Sequence, residues 1–317
     1  MKQTEDVSVS VKTQRAAVTI GNFDGVHLGH QKIIDLTVQL ARAHKLDAVA
    51  VTFRPHPQAV LRPESCPPLL LTYDEKVSRL RECGLDQVVE QAFTRDFAAV
   101  SAQEFFESVL RGQLGAEVIV VGHDFSFGRA REGHLDTLRT HCSKAGIQLE
   151  VVPPFQISGE VVSSSRIRAL LNSGDLRAAS KLMGQDFYYR GQVMHGAGRG
   201  AGLGFPTANI QVPDKLLLPL GVYATRSKVD GSIFFSVTNV GVRPTFEDLR
   251  NPSQLEPLVE THILSSDDAR PVTNLYGGEI EVRFVERLRE ERQFSGAEAL
   301  KRQIADDVAR ARAILSR

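Results

Sequence analysis

A chain of 317 residues with 42% hydrophobic side chains is long enough to bury two cores of ordinary domain size. Its 38 Lys and Arg balance its 38 Asp and Glu, so no basic stripe offers the footprint of a nucleic-acid binder, and small-molecule substrates are expected. Apolar runs such as Val118 to Val121 fall far short of the roughly 20 residues a membrane span requires, so no membrane contact is expected.

The opening residues, Met-Lys-Gln-Thr-Glu-Asp, are polar where a secretory signal would carry an apolar core, and a cytoplasmic location is expected. From Ala16 to about Val152, short β-rich runs alternate with helical stretches, the rhythm of a parallel sheet covered by helices. Strands are expected at Ala16 to Ile20, Ala48 to Phe53, Gln87 to Phe93, Val118 to Gly122 and Gln148 to Val152, whose near-continuous hydrophobicity fits burial on both faces. Ile33, Ile34, Thr37, Leu40 and Ala41 recur at helical spacing. Ser101 and Glu104 stand in capping-box spacing ahead of Phe105, Phe106, Val109 and Leu110, which predicts a second amphipathic helix. Cys66, Cys83 and Cys142 are odd in number and widely spaced, so they read as reduced structural thiols.

A helical pair around Ile167 to Leu171 and Leu176 to Met183 follows, and at Gly184 the pattern changes to strands separated by turn residues. Two domains are therefore expected, 1–184 and 185–317. In the second, Gly221 to Val229 and Ser232 to Val240 flank Asp230-Gly231, which supplies the positive φ angles of a tight hairpin. Ser295 and Glu298 again stand in capping-box spacing, ahead of Leu300, Ile304, Val308, Ala311 and Leu315 on one helical face. The fold class is thus α/β with a parallel sheet, followed by a mainly β half, a small barrel, with a C-terminal helix against it.

Two segments carry chemistry. In the first, Gly21-Asn22-Phe23-Asp24-Gly25-Val26-His27-Leu28-Gly29-His30 runs from the first strand through a glycine-rich loop into a helix start, where backbone N–H groups and the helix dipole favour a phosphate. If the helix begins by His27, His27 and His30 lie on one face, and Gly29 lets a phosphate approach the backbone. A pair of ordinary capping or surface histidines is the plainer alternative. The second segment, Gly196 to Ile210, carries Gly196, Gly198, Gly200, Gly202 and Gly204 ahead of Phe205-Pro206-Thr207-Ala208-Asn209. Such a loop can wrap phosphates with its backbone, yet it is neither a P-loop nor a dinucleotide fingerprint, and a flexible linker is the alternative.

The first segment resembles the H-x-G-H signature of the nucleotidyltransferase superfamily, and specifically the bacterial bifunctional riboflavin kinases and FAD synthetases. Further blocks follow in that family's order: Thr52-Phe53-Arg54-Pro55-His56-Pro57, Gly122-His123-Asp124-Phe125-Ser126-Phe127-Gly128 and Ser163-Ser164-Ser165-Arg166-Ile167-Arg168. Ser165 stands where the family usually has Thr. Gly204 to Asn209, Asn239 to Phe246 and Val259 to Leu264 resemble the riboflavin kinase module, with a longer polar stretch at Ser265 to Asn274 as a departure.

The resemblance implies a Rossmann-like nucleotidyltransferase domain followed by a riboflavin-kinase barrel. It implies phosphorylation of riboflavin to FMN with release of ADP in the C-terminal half. In the N-terminal half it implies adenylylation of FMN to FAD with release of pyrophosphate, ATP and Mg2+ serving both. By the same resemblance His27 and His30 would steady the transferring phosphate, with Gly21, Asn22, Phe23, Asp24, Gly25 and Gly29 around the nucleotide. Ser163, Ser164, Arg166 and Arg168 would hold pyrophosphate. Phe53, His56, Asp124 and Phe125 would line the flavin and adenine pockets. Gly204, Thr207 and Asn209 would contact ATP, Thr207 and Asn209 would hold magnesium, and Glu260 would be the general base. Two alternatives stay open: a single active module, or a flavin- or nucleotide-binding regulator without turnover.

Overall fold

Short runs of β-branched and small apolar residues build the N-terminal sheet. In a computed structural model describing residues 15–194, 204–212, 214–243, 256–264 and 277–317, its strands are β1 (Ala16–Ile20), β2 (Asp47–Arg54), β3 (Gln87–Ala92), β4 (Ala116–Gly122) and β5 (Gln148–Val152). They pair in parallel in the order β3-β2-β1-β4-β5. Every residue of β1 is buried, as expected of a central parallel strand covered on both faces.

Alternation splits β1 between two layers. Ala16, Val18 and Ile20 share a core cluster with Phe105, Phe106, Leu110, Leu138 and Cys142. Helix α1 (Leu28–His44) packs against β1, β2 and β4, burying Ile34, Thr37 and Ala41. Helices α2 (Pro57–Leu61) and α3 (Tyr73–Glu82) follow β2, and α4 (Arg95–Ala98) follows β3. The segment opened by Ser101 departs from the expected α-helix. After one turn, α5 (Ala102–Glu104), it continues as a π-helix over Phe105–Gln113, in which Leu114 N donates to Val109 O at 3.0 Å. The wider turn lets the adjacent pairs Phe105-Phe106 and Val109-Leu110 all be buried. Helix α6 (Leu135–Ala145) and the two-residue strands β6 (Gln156–Ile157) and β7 (Glu160–Val161) complete this unit.

The chain divides into two compact units between Ser164 and Ser165. Helices α7 (Ser164–Ser173) and α8 (Leu176–Met183) thereby fall almost wholly in the second unit, ahead of the change of pattern at Gly184. There α8 packs against β8 (Phe187–Met194) and β13 (Glu279–Glu290), and Arg177 on α8 pairs with Glu286 at 2.5 Å. The remaining strands are β9 (Ala208–Ile210), β10 (Gly221–Val229), β11 (Ser232–Arg243) and β12 (Glu256–Ile263). The barrel is closed in the order β10-β11-β12-β9-β8-β13. Asp230 and Gly231 take φ of 47° and 81° at the β10–β11 hairpin, as the dipeptide predicts.

Inside the barrel, Thr225, Ser227, Ser236, Thr238 and Thr261 are buried and hydrogen-bond to one another. On the outside, Val222, Ala224, Val237 and Leu288 pack with Ala311 and Leu315 of the terminal helix α9 (Ala297–Leu315). That helix starts differently from its expected capping box: Gly296 is the N-cap, and no side chain caps it. Parts of the second segment and its neighbours, Gly196 to Leu203, Pro244 to Phe246 and Ser265 to Asn274, lie outside the described residues.

Candidate functional sites

In the N-terminal unit the sheet order reverses between β1 and β4, and in open α/β sheets ligands bind beyond the carboxyl ends of strands at such a point. Three of the motif blocks sit there. Gly21 to His30 leaves β1, Phe53 to Pro57 leaves β2 and Gly122 to Gly128 leaves β4. The fourth block starts α7, and its Ser164 Oγ donates to Asp24 O at 2.9 Å, which ties it to the same loop.

The loop between β1 and α1 is tightly held. Asp24 is buried and accepts from Leu70 N at 2.9 Å and Leu71 N at 3.4 Å. Thr52 Oγ1 donates to Asn22 O at 3.1 Å, and Gly21 N to Val51 O at 3.1 Å. Phe23 and Val26 adopt φ of 50° and 38°, and Gly25 adopts 85°. A Cβ at Gly25 would also stand 2.8 Å from Leu70 Cδ1, so glycine is required there on two counts.

His27 is the N-cap of α1, and its Nδ1 accepts from His30 N at 3.2 Å. The capping alternative weighed from the sequence is therefore part of the site's construction. An Nδ1 that accepts carries no proton, so neutral His27 bears its proton on Nε2. The two imidazoles stack with centroids 3.6 Å apart and planes 15° apart, while Phe23 meets His30 edge-on at 5.3 Å. Gly29 leaves room for this arrangement, because a Cβ there would lie 3.2 Å from the His27 ring.

Burial pushes the His30 imidazole well below its usual value, helped by His27 and by the Lys76 ammonium. His30 Nδ1 is buried without a hydrogen-bond partner among the described residues. Lys76, on α3, escaped the motif reading. It is 5% exposed and donates to Phe53 O at 3.1 Å, and burial brings its ammonium down to about 8 against the pull of Glu90 and Asp24. Nothing in the run Tyr73-Asp74-Glu75-Lys76 distinguishes it from a solvated helix face.

Of the residues expected around the flavin, Phe53 packs on Phe93 and Phe97 with centroids 5.6 and 6.2 Å away. Phe125 stacks on Phe127 at 5.4 Å. His56 caps α2, its Nδ1 accepting from Gln58 N at 3.2 Å. Asp124 is exposed just beyond β4. Arg166 and Arg168 lie in the first turns of α7.

In the barrel, Glu260 on β12 pairs in register with Asn209 on β9 and with Asn239 on β11. Residues far apart in sequence are thereby neighbours on one sheet face. That face is the outer one, since Thr261 points into the barrel. Asn209 is buried, and its Oδ1 has no hydrogen-bond partner among the described residues. Thr207 lies just before β9, and Gly204, three residues earlier, adopts φ of 88°. An unpaired amide oxygen beside a hydroxyl and across from a carboxylate suits a hard divalent cation such as Mg2+.

A glycine-rich loop at the switch point of a parallel sheet and a carboxylate flanked by asparagines on a closed barrel are the arrangement that a two-module, nucleotide-using transferase requires. The FAD synthetase family model matches residues 9–166 and the riboflavin kinase model residues 183–315. Bifunctional riboflavin kinase/FMN adenylyltransferases from Bacillus subtilis and Escherichia coli K12 are each 34% identical over 296 residues. These alignments cover 92% and 93% of this chain, and 90% and 91% of the relatives. The enzyme of the same name from Pseudomonas fluorescens is 35% identical over 296 residues, covering 93% of this chain and 92% of its own. A crystal structure of a Streptococcus pneumoniae protein named as a macrolide-efflux protein matches with a TM-score of 0.84 at 28% identity, covering 95% of each chain. Among the described residues no helix is long and apolar enough to cross a membrane.

The chain belongs to the family of bifunctional riboflavin kinase/FMN adenylyltransferases. It is a bifunctional transferase that makes FMN from riboflavin and FAD from FMN, with ATP as co-substrate.

Proposed function

We propose that the two reactions run at two separate sites, with FMN adenylylation on the β1–α1 loop and riboflavin phosphorylation on the outer face of β12. The observation that carries this reading is the convergence within each unit of motif residues distant in sequence. His27, His30 and Ser164 gather at one loop, and Asn209, Asn239 and Glu260 share one register row.

In the N-terminal site an FMN phosphate oxygen attacks the α-phosphorus of ATP, a new P–O bond forms, and the bond to the β-phosphate oxygen breaks to release pyrophosphate. Charge accumulates on oxygens in flight, so positioned donors are the main requirement. His27 Nε2–H and the backbone N–H groups of Leu28 and Gly29, at the start of α1, would face that charge. His30 is kept neutral by its burial, and a neutral imidazole can donate or accept through Nδ1. Gly21 to Gly25 form the nucleotide's floor, and Ser163, Ser164, Arg166 and Arg168 hold the leaving pyrophosphate by charge-assisted hydrogen bonds. Phe53, His56, Asp124 and Phe125 border the flavin and adenine.

In the C-terminal site Glu260 takes the proton of the riboflavin 5′-hydroxyl as its oxygen attacks the γ-phosphorus and ADP leaves. Gly204 lets the chain close on ATP, and Thr207 and Asn209 would hold Mg2+. When bound, the ion neutralises charge on the phosphates. We place the functional boundary at 184/185, so that the Ser163 to Arg168 block serves the first module, and we place the enzyme in the cytoplasm, where ATP is supplied to both reactions.

Separation of flavins by chromatography after incubation with ATP and Mg2+ tests the assignment. His30→Ala is expected to make FMN from riboflavin but no FAD. Glu260→Gln is expected to make FAD from supplied FMN but no FMN from riboflavin. Loss of both steps in either folded variant would rule out separate sites, and an unaltered wild-type flavin pool would revive a binding protein without turnover.

A further inference from the structure

The segment that carries Thr207 and Asn209 is short of backbone anchors. Strand β9 has three residues, and its ladder to β12 runs through Ile210–Val259, Asn209–Glu260 and Ala208–Thr261. The next step would place Thr207 opposite His262, and there the ladder ends. Pro206, the residue before, has no N–H to donate.

A side chain takes over where the backbone pairing stops. His262 Nδ1 lies 2.8 Å from Pro206 O, and because a carbonyl only accepts, Nδ1 is the donor. The same ring meets Phe205 edge to face, with centroids 5.5 Å apart. Thr207 is thus bracketed by Ala208 in the ladder and Pro206 on the imidazole. By strand alternation His262 stands on the same outer face as Glu260, two residues earlier.

We propose that His262 is a positioning residue of the kinase site, a clamp that extends the β9–β12 ladder by one step and sets Thr207 at the ATP phosphates and their cation. This rests on the reading of Thr207, Asn209 and Glu260 as that site. His262 acts through the loop and touches neither reacting oxygen. Losing it weakens nucleotide and Mg2+ binding while Glu260 stays fixed in the ladder, which raises KM with kcat close to wild type.

The test uses the full chain and steady-state riboflavin phosphorylation, with ATP and free Mg2+ varied in turn and FMN adenylylation measured as an internal control. For His262→Ala, the KM for ATP and the half-saturating Mg2+ are expected to rise about three- to tenfold, the scale of one lost hydrogen bond, with adenylylation unchanged. The Asn amide nitrogen can stand where Nδ1 stands, whereas a Gln amide reaches the position of Nε2. His262→Asn should therefore restore near wild-type KM and His262→Gln should not, a comparison that holds even if the alanine variant folds poorly. Unchanged KM in His262→Ala, or equal impairment of the Asn and Gln variants, would overturn the clamp. Glu260→Gln run alongside separates the two levels. If it abolishes FMN formation while His262→Ala binds ATP normally, the clamp alone falls. If it still makes FMN, the site reading falls and the clamp with it.

Discussion

Lys76 and His30 show how a site can be set by residues that oppose one another's charge. Both are bases; Lys76 is buried, His30 is half-buried with its Nδ1 shielded from solvent, and each is shifted toward its neutral form chiefly by loss of water. For Lys76 the consequence is a stability that depends on pH. The unfolded chain keeps this proton up to the usual 10.5, and the folded one gives it up at about 8. Between those values the unfolded state binds more protons, so stability rises with pH through that window, and below about 8 the full penalty is present. At about 1.4 kcal/mol per unit, the penalty is on the order of 3 kcal/mol. Thermal unfolding followed from pH 7 to 11 is expected to show the wild type gaining on Lys76→Met across the window, and parallel curves would mean that Lys76 is hydrated. His30 works at the other end. Its depressed value means that the unfolded chain binds the extra proton as pH falls through 6.5, so wild type loses stability there relative to His30→Asn. The imidazole pair was legible from H-x-G-H spacing at a strand end. Lys76 was not, because burial of a lysine on a polar helix is decided by what packs on it.

Helix α9 makes the same point for an element. Its stripe of Val308, Ala311 and Leu315 reads directly from the sequence and meets Val222, Ala224 and Val237 as that stripe requires. Hydropathy passes over Asp307, which is fully buried beside this stripe and accepts from Arg289 Nε at 2.9 Å and from Gln303 Nε2 at 2.8 Å. Arg289 belongs to β13, so the partner that permits this burial is distant in sequence. Asp307→Ala would strand the guanidinium in a largely dry site, and breaking such a pair costs about 3 to 5 kcal/mol. Urea unfolding should show that loss, whereas Asp307→Leu combined with Arg289→Met should recover most of it; equal stability of wild type and Asp307→Ala would place the pair in water. The π-helix at Phe105–Gln113 was illegible for a related reason. Its apolar spacing fits an α-helix in isolation, and packing of both phenylalanines on the sheet selects the wider turn.

At the scale of the whole molecule, strand positions and the order of the two folds were readable because each module carries its own periodicity: buried runs between amphipathic helices, then hairpins with Asp-Gly punctuation. A small barrel was expected, but its strand order was not readable, and neither was the Asn209–Glu260–Asn239 row, because both depend on register between strands separated by long connections. The division between Ser164 and Ser165 follows from packing of α8 on β13, a contact to which local patterning is blind. If each site draws its groups from one half of the chain, as proposed, the product of the kinase reaches the transferase by diffusion. A mixture of His30→Ala, expected only to phosphorylate, and Glu260→Gln, expected only to adenylylate, should therefore convert riboflavin to FAD. The expected time course has FMN accumulating first and FAD following after a lag. Because FMN must leave one molecule and meet another, the lag should shorten as both variants are concentrated together. If each variant performs its own step on supplied substrate and the mixture still makes no FAD, the intermediate passes only within a single chain, and the two sites, separate in their chemistry, are joined in their use of FMN.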